Sequence, residues 1–151
     1  MSEDSANYGR YEAAGGGVES PVGGRMMSTG DERTFSVLSH LSIFLNTVTG
    51  FLGPVAAFII WLVYRERSGR VAFHALQSMW YQLAWLAVLT VGWAITGLLM
   101  VVLIGFLLVP AMAVLTVFPL VHSAYAAYRV ARDGEYRYPW IANLIEDLGR
   151  V

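Results

Sequence analysis

Two sets of polar side chains interrupt otherwise apolar sequence, and their types and spacing are the ones suited to chemistry. In the first, Ser36, Ser39, His40, Asn46 and Thr47 fall near one face of a helix. In the second, His74, Gln77, Ser78, Tyr81 and Gln82 recur at steps of three, four, seven and eight residues, again one helical face. His122 is a third isolated imidazole. These residues admit three uses. Hydrogen bonding between helices is the commonest, since Ser, Thr, Gln and His routinely join helices in lipid. A polar path for an ion, a small solute or a polypeptide would be lined by His40, Asn46, His74, Gln77 and Gln82. Haem or metal ligation by His40, His74 and His122 is the third, but no carboxylate lies near them in sequence to orient the rings.

Catalytic patterns are missing from the sequence. There is no acid within the apolar stretches, no His-Glu-x-x-His run, no phosphate-cradling glycine loop and no Gly-x-Ser-x-Gly elbow. Cysteine is absent, which excludes disulfides and thiolate chemistry. All ten basic residues are Arg, so lysine Schiff-base chemistry is excluded too. The expectation is a non-enzymatic protein with no catalytic residue, no metal and no cofactor.

The elements that must position these side chains are membrane-spanning helices. Residues 34–64 and 71–128 contain no Asp, Glu, Lys or Arg. A charge at the bilayer centre costs roughly 2.5 to 3.5 kcal/mol on insertion scales, so uncharged runs of this length suit lipid. Composition agrees: 56% of residues are hydrophobic, 14% are charged, and mean hydropathy is +0.53. A net charge of -1 argues against nucleic acid as a partner. Membrane lipids are the expected partner, with other membrane subunits or further copies of the chain.

Seven of 15 glycines fall in the first thirty residues, and residues 1–29 read as a disordered tail. A capping box at Thr29-Gly30-Asp31-Glu32 opens a helix expected over about 30–48. Two glycines and a proline at Gly50, Gly53 and Pro54 then turn the chain into a second helix, about 54–67, with Pro54 at its first position. The arginines of residues 65–70 place that loop on the cytoplasmic side. Residues 71–128 are too long for one crossing and fold back near Ile104-Gly105-Phe106, giving helices of about 71–103 and 106–131. Pro110 is expected in the first turn of the last helix. Pro119 lies within it and frees the Leu115 carbonyl for Thr116.

The fold class expected is all-α: a polytopic four-helix bundle over 30–131 with four crossings, in the cell inner membrane, both termini cytoplasmic. Tyr125, Tyr128, Tyr136, Tyr138 and Trp140 read as anchors at headgroup level. Residues 132–151 read as an interfacial segment. Within it Ile141, Leu144, Ile145 and Leu148 form an amphipathic helix that lies on the membrane or packs back on the bundle. Small residues at Gly53 and Ala57, and at Ser123, Ala127 and Ala131, allow close helix contact.

Several short strings combine into a family pattern. They are Asp31-Glu32-Arg33-Thr34, Leu38-Ser39-His40-Leu41-Ser42, Gly53-Pro54, Ile60-Trp61-Leu62, His74 with Tyr81-Gln82, and Gly134-Glu135-Tyr136-Arg137-Tyr138-Pro139. Together, over residues 31–145, the chain resembles small bacterial four-helix membrane proteins similar to the channel-forming subunit of the chloroplast inner-envelope Tic translocon. Leu76 and Trp80 depart from that pattern, where a charged residue and an Asn are usual. The resemblance implies a four-crossing bundle with both termini on the cytoplasmic side. The function expected is a Tic-channel-like accessory or assembly subunit of a larger membrane complex. The alternative is a channel or transporter component using the polar path.

Overall fold

The structure, a computed structural model, describes residues 27–139 and 141–149. The expected disordered tail falls almost wholly outside these residues, as does the proposed anchor Trp140. The described residues form six α-helices and no strand: α1 (Thr29–Leu41), α2 (Leu45–Thr49), α3 (Leu52–Tyr64), α4 (Gly69–Met100), α5 (Gly105–Asp133) and α6 (Ile141–Gly149). A 3-10 turn, Ser42–Phe44, joins α1 to α2.

Ser28, not Thr29, caps α1. Its hydroxyl accepts from the Asp31 amide at 3.2 Å and donates to the Asp31 carboxylate at 2.8 Å. Glu32, expected to close the cap, instead accepts the Ser68 hydroxyl at 2.6 Å and ties the start of α1 to the loop after α3. The 3-10 turn has a local cause. The Ser39 and Ser42 hydroxyls each donate to the carbonyl three residues back, at 2.7 Å, and such back-bonding competes with regular helix geometry. Tightening to three residues per turn rotates the succeeding side chains, so Thr47 is exposed while Ser36, Ser39 and His40 are buried.

Gly50, at φ +83°, ends α2 in a conformation that costs glycine little. The turn into α3 satisfies its own backbone: the Leu52 amide donates to Thr49 Oγ1 at 3.2 Å and the Gly53 amide to Asn46 Oδ1 at 2.7 Å. Pro54 is therefore the third residue of α3 rather than the first, still within the turn whose amides lack helical partners. Helix α3 runs back along α1, with the Phe35 and Tyr64 rings 4.4 Å apart. It ends at Tyr64, whose carbonyl accepts from both Arg67 and Ser68.

Ser68 caps α4, and a turn over residues 101–104 returns the chain as α5. A Cβ on Gly105 would meet the Thr96 carbonyl and the Met100 amide, so glycine lets this turn close against α4. Because α5 begins at Gly105, Pro110 is its sixth residue and lies inside the helix, not in its first turn. Pro119 is also internal. The Thr116 hydroxyl donates to Met112 at 2.7 Å, the carbonyl four residues back that its side chain reaches, rather than to Leu115. It also accepts from Trp93 Nε1 at 3.2 Å.

The two hairpins, α1–α3 and α4–α5, pack together at one end. Every Arg, Asp and Glu among the described residues outside α6 falls in 31–33, 65–70 or 129–137, all at that end. Helices α4 and α5 are long and apolar enough to cross a membrane, with an 18-residue window of mean hydropathy 2.0 in each. Only 6% and 17% of those windows are buried, whereas a soluble protein would bury such helices in its core. At 13 residues, or roughly 20 Å, α3 is shorter than the ~30 Å hydrocarbon layer. In α6, Ala142 is buried and Ile141 packs against the core.

Candidate functional site

Gly134, left-handed at φ +85°, stops α5 and reverses the chain. Residues 135–138 then carry Tyr136 and Tyr138 back into the bundle. Two residues apart in a non-helical segment, both rings turn inward. Tyr138 is 1% exposed, so it is a core residue and not a headgroup anchor. Tyr125 and Tyr128 remain exposed, as an anchoring role requires.

Tyr138 stacks on Tyr81 of α4 at 4.1 Å with ring planes 7° apart. Its hydroxyl lies 3.3 Å from His40 Nδ1 and 3.1 Å from Ser123 Oγ. His40 Nε2 in turn lies 3.3 Å from His74 Nδ1. A second relay runs beside the first: the Tyr81 hydroxyl meets His122 Nδ1 at 2.8 Å, and His122 Nε2 meets the Tyr136 hydroxyl at 2.7 Å. Gln77 Nε2 donates to the Tyr136 carbonyl at 3.0 Å. α1, α4, α5 and the segment after α5 thus meet at one cluster of three histidines and three tyrosines.

Proton placement in this cluster is directional. A neutral imidazole offers one donor and one acceptor, so of the two phenols on His122 one donates and the other accepts. Burial pushes the Tyr138 and Tyr136 hydroxyls above the usual phenol range, so both are protonated. Ser123 faces a phenol and not a base, so it lacks the activation a serine nucleophile needs.

A second polar set lies further along the bundle. The Ser78 and Ser42 hydroxyls both donate to the Ser39 carbonyl, and Gln82 Nε2 donates to both hydroxyl oxygens at 2.9 Å. Gln82 Oε1 packs on Gly53, where an added Cβ would also lie 2.7 Å from Asn46 Oδ1 and 2.8 Å from the Ser42 carbonyl. Buried Gln77 Oε1, Gln82 Oε1 and Ser36 Oγ accept no hydrogen bond.

The structure therefore divides the five residues of the sequence-derived polar path. His40, His74 and Gln77 join the tyrosine cluster; Gln82 and Asn46 join the Gly53 contact. Among the described residues no group of three His, Cys, Asp or Glu is arranged to hold a metal ion. Both ring nitrogens of His40 and of His122 already face polar partners. Helical spacing does not single out Tyr136, Tyr138 or Ser123 as site residues. The available signal is the pair of tyrosines two apart directly after a helix-ending glycine.

All of these residues lie within residues 31–145, and that span matches the model of the magnetosome magnetite crystal formation protein family, MamF/MmsF. The chain belongs to this family. The MamF/MmsF match takes the place of the Tic-channel resemblance drawn over the same residues, and no comparison points to the Tic channel. No curated protein and no solved structure matches the chain. As a MamF/MmsF member with two bare apolar helices, it is a helical protein of the membrane type.

Proposed function

We propose that this protein is a non-catalytic membrane subunit of magnetite crystal formation, acting by association with other membrane proteins. The family match carries this reading. The His–Tyr cluster supports it, because its polar groups face one another inside the bundle and hold four chain segments in register. Helices α4 and α5 cross the membrane, and both hairpins open toward the arginine end. That end faces the cytoplasm by the positive-inside rule, which puts both termini there. Arginine–aromatic pairs ring it: Arg65 over Trp61 at 5.3 Å, Arg132 over Tyr128 at 5.5 Å, Arg137 over Phe73 at 5.8 Å and Arg129 over Tyr125 at 6.0 Å. Such rings and guanidinium groups suit headgroup level.

The sequence alone counted four crossings; the short α3 supports two, with the α1–α3 hairpin braced against them. The test is complementation in a magnetite-forming cell whose own member of this family is deleted, with crystal size read by electron microscopy. Restored crystals are expected from the wild-type chain, and also from His74→Gln if its membrane level is kept. Crystals unchanged by the deletion, or unrestored by wild-type chain present in the membrane, would overturn the reading.

A further inference from the structure

The two hairpins differ in height. Ser39 bonds Ser78, Ser42 bonds Gln82 and Gly53 packs on Gln82, so α1 climbs in register with α4. The tip of the first hairpin, Asn46, Thr47 and Gly50, borders a groove of about 150 Å³ walled by Trp85, Leu86 and Leu89. Above Leu89, α4 continues for eleven more residues to Met100, roughly 17 Å at 1.5 Å per residue. Over that height the buried residues are Thr96, Gly105 and Met112, which face the α4–α5 seam. The outer faces are apolar and bare, with Val91 59%, Leu98 73% and Leu107 81% exposed.

Bilayer thickness gives these heights a meaning. From Gly105 to Tyr125, where the arginine–aromatic pairs begin, is twenty residues, or roughly 30 Å, the depth of one hydrocarbon layer. His122 pairs with Tyr81, so Tyr125 lies near the level of Ser78, and hence of Ser39. From Ser39 to Thr49 the first hairpin rises only ten residues, roughly 15 Å, which is one leaflet.

We propose that the α1–α3 hairpin enters one leaflet and turns back within it, so that the molecule is a wedge fitted to the convex face of a strongly curved bilayer. This rests on the reading that α4 and α5 cross the membrane. The leaflet at the arginine end then holds parts of four chain segments, and the opposite leaflet holds two helices. Acyl chains of the arginine-end leaflet reach the groove, and those of the opposite leaflet cover the bare faces of α4 and α5 above it, which continue the lipid-facing surface of the spans. The tip is built for this depth: the Thr47 and Thr49 hydroxyls donate to the Phe44 and Leu45 carbonyls, and the Leu52 and Gly53 amides are capped by side chains. Backbone groups left open at mid-bilayer would be costly. Elements inserted into a single leaflet spread it, which makes binding sensitive to curvature.

Single cysteines in the full chain test this in phosphatidylcholine–phosphatidylglycerol vesicles. Gly69→Cys and Val102→Cys mark the two faces, and Val48→Cys marks the tip, where the side chain is 86% exposed. The expected result is labelling of Gly69→Cys and Val102→Cys from opposite sides, with Val48→Cys reached from neither by an impermeant maleimide. A spin label at Val48 should report lipid depth near the bilayer centre. Protein labelled at Gly69 should show higher density per membrane area on small sonicated vesicles than on large extruded ones when the arginine end faces out. Labelling of Val48→Cys from the Val102 side, or equal density at both vesicle sizes, would overturn the wedge while leaving the crossing intact. Gly69→Cys and Val102→Cys reached from one side would instead remove the crossing itself.

Discussion

His40 Nε2 and His74 Nδ1 face each other at 3.3 Å, and a proton on both nitrogens at once would set N–H against N–H. At most one ring of the pair can be an imidazolium in this geometry. Removing either ring leaves the other without its partner, and removing His40 also strips the Tyr138 hydroxyl of one of its two contacts. His40→Leu and His74→Leu should each cost about 1 to 3 kcal/mol, the usual penalty for orphaning a buried polar group. In a double-mutant cycle read by detergent unfolding, the two should be non-additive by about 0.5 kcal/mol or more. Strict additivity would mean that the contact carries no energy.

Tyr138 does two jobs that separate by substitution. Tyr138→Phe keeps the stack on Tyr81 and removes the hydroxyl shared by His40 and Ser123, with an expected cost of about 1 to 2 kcal/mol. Tyr138→Ala empties the core and should cost about 3 to 5 kcal/mol. Equal thermal stability of Tyr138→Phe and wild type would contradict the bonding role of the hydroxyl.

The same hydroxyl predicts alkaline sensitivity. Burial raises the Tyr138 and Tyr136 values in the folded state, so the folded chain holds these protons more tightly than the unfolded chain. Their contribution is fully present below the unfolded value of about 10 and is lost as pH rises beyond it toward the folded values. Melting temperature in detergent should therefore be flat with respect to these groups to about pH 9 and fall above pH 10. Tyr138→Phe should show a shallower fall, and an identical one would exclude Tyr138 as a source.

Gly53 and Gly69 give opposite answers to one substitution. A methyl at Gly53 meets Gln82, Asn46 and the Ser42 backbone carbonyl, and Gly53→Ala should cost about 1 to 3 kcal/mol as the hairpin is pushed off α4. At Gly69 nothing lies within 4 Å, and Gly69→Ala should be neutral or stabilise by about 0.4 to 1 kcal/mol. Limited proteolysis and unfolding of both variants check this contrast.

Local rules set how much of the fold and site is legible in the sequence. The helical class, the uncharged spans and the inward-facing His40, His74, Gln77 and Gln82 come from residue type and helical period, which act over a few turns. The misplaced details depend on partners distant in the chain. Glu32 leaves its expected cap because Ser68, 36 residues away, competes for it. Thr47 turns outward because serine back-bonding tightens the helix before it. Tyr138 reads as a surface anchor by composition, yet the turn at Gly134 carries it under His40, 98 residues away. The heights of the two hairpins likewise depend on the register of Ser39 on Ser78, a contact between residues 39 positions apart.

The most direct measurement is sidedness of the long hairpin. With no native cysteine to confuse it, Gly69→Cys and Val102→Cys are exposed to an impermeant maleimide in sealed, uniformly oriented vesicles. The two positions should be modified from opposite sides, with the Gly69 side matching the cytoplasmic face in cells. Modification of both from the same side, or a chain that stays monodisperse in buffer without detergent, would contradict a membrane-crossing α4–α5 hairpin and the function built on it.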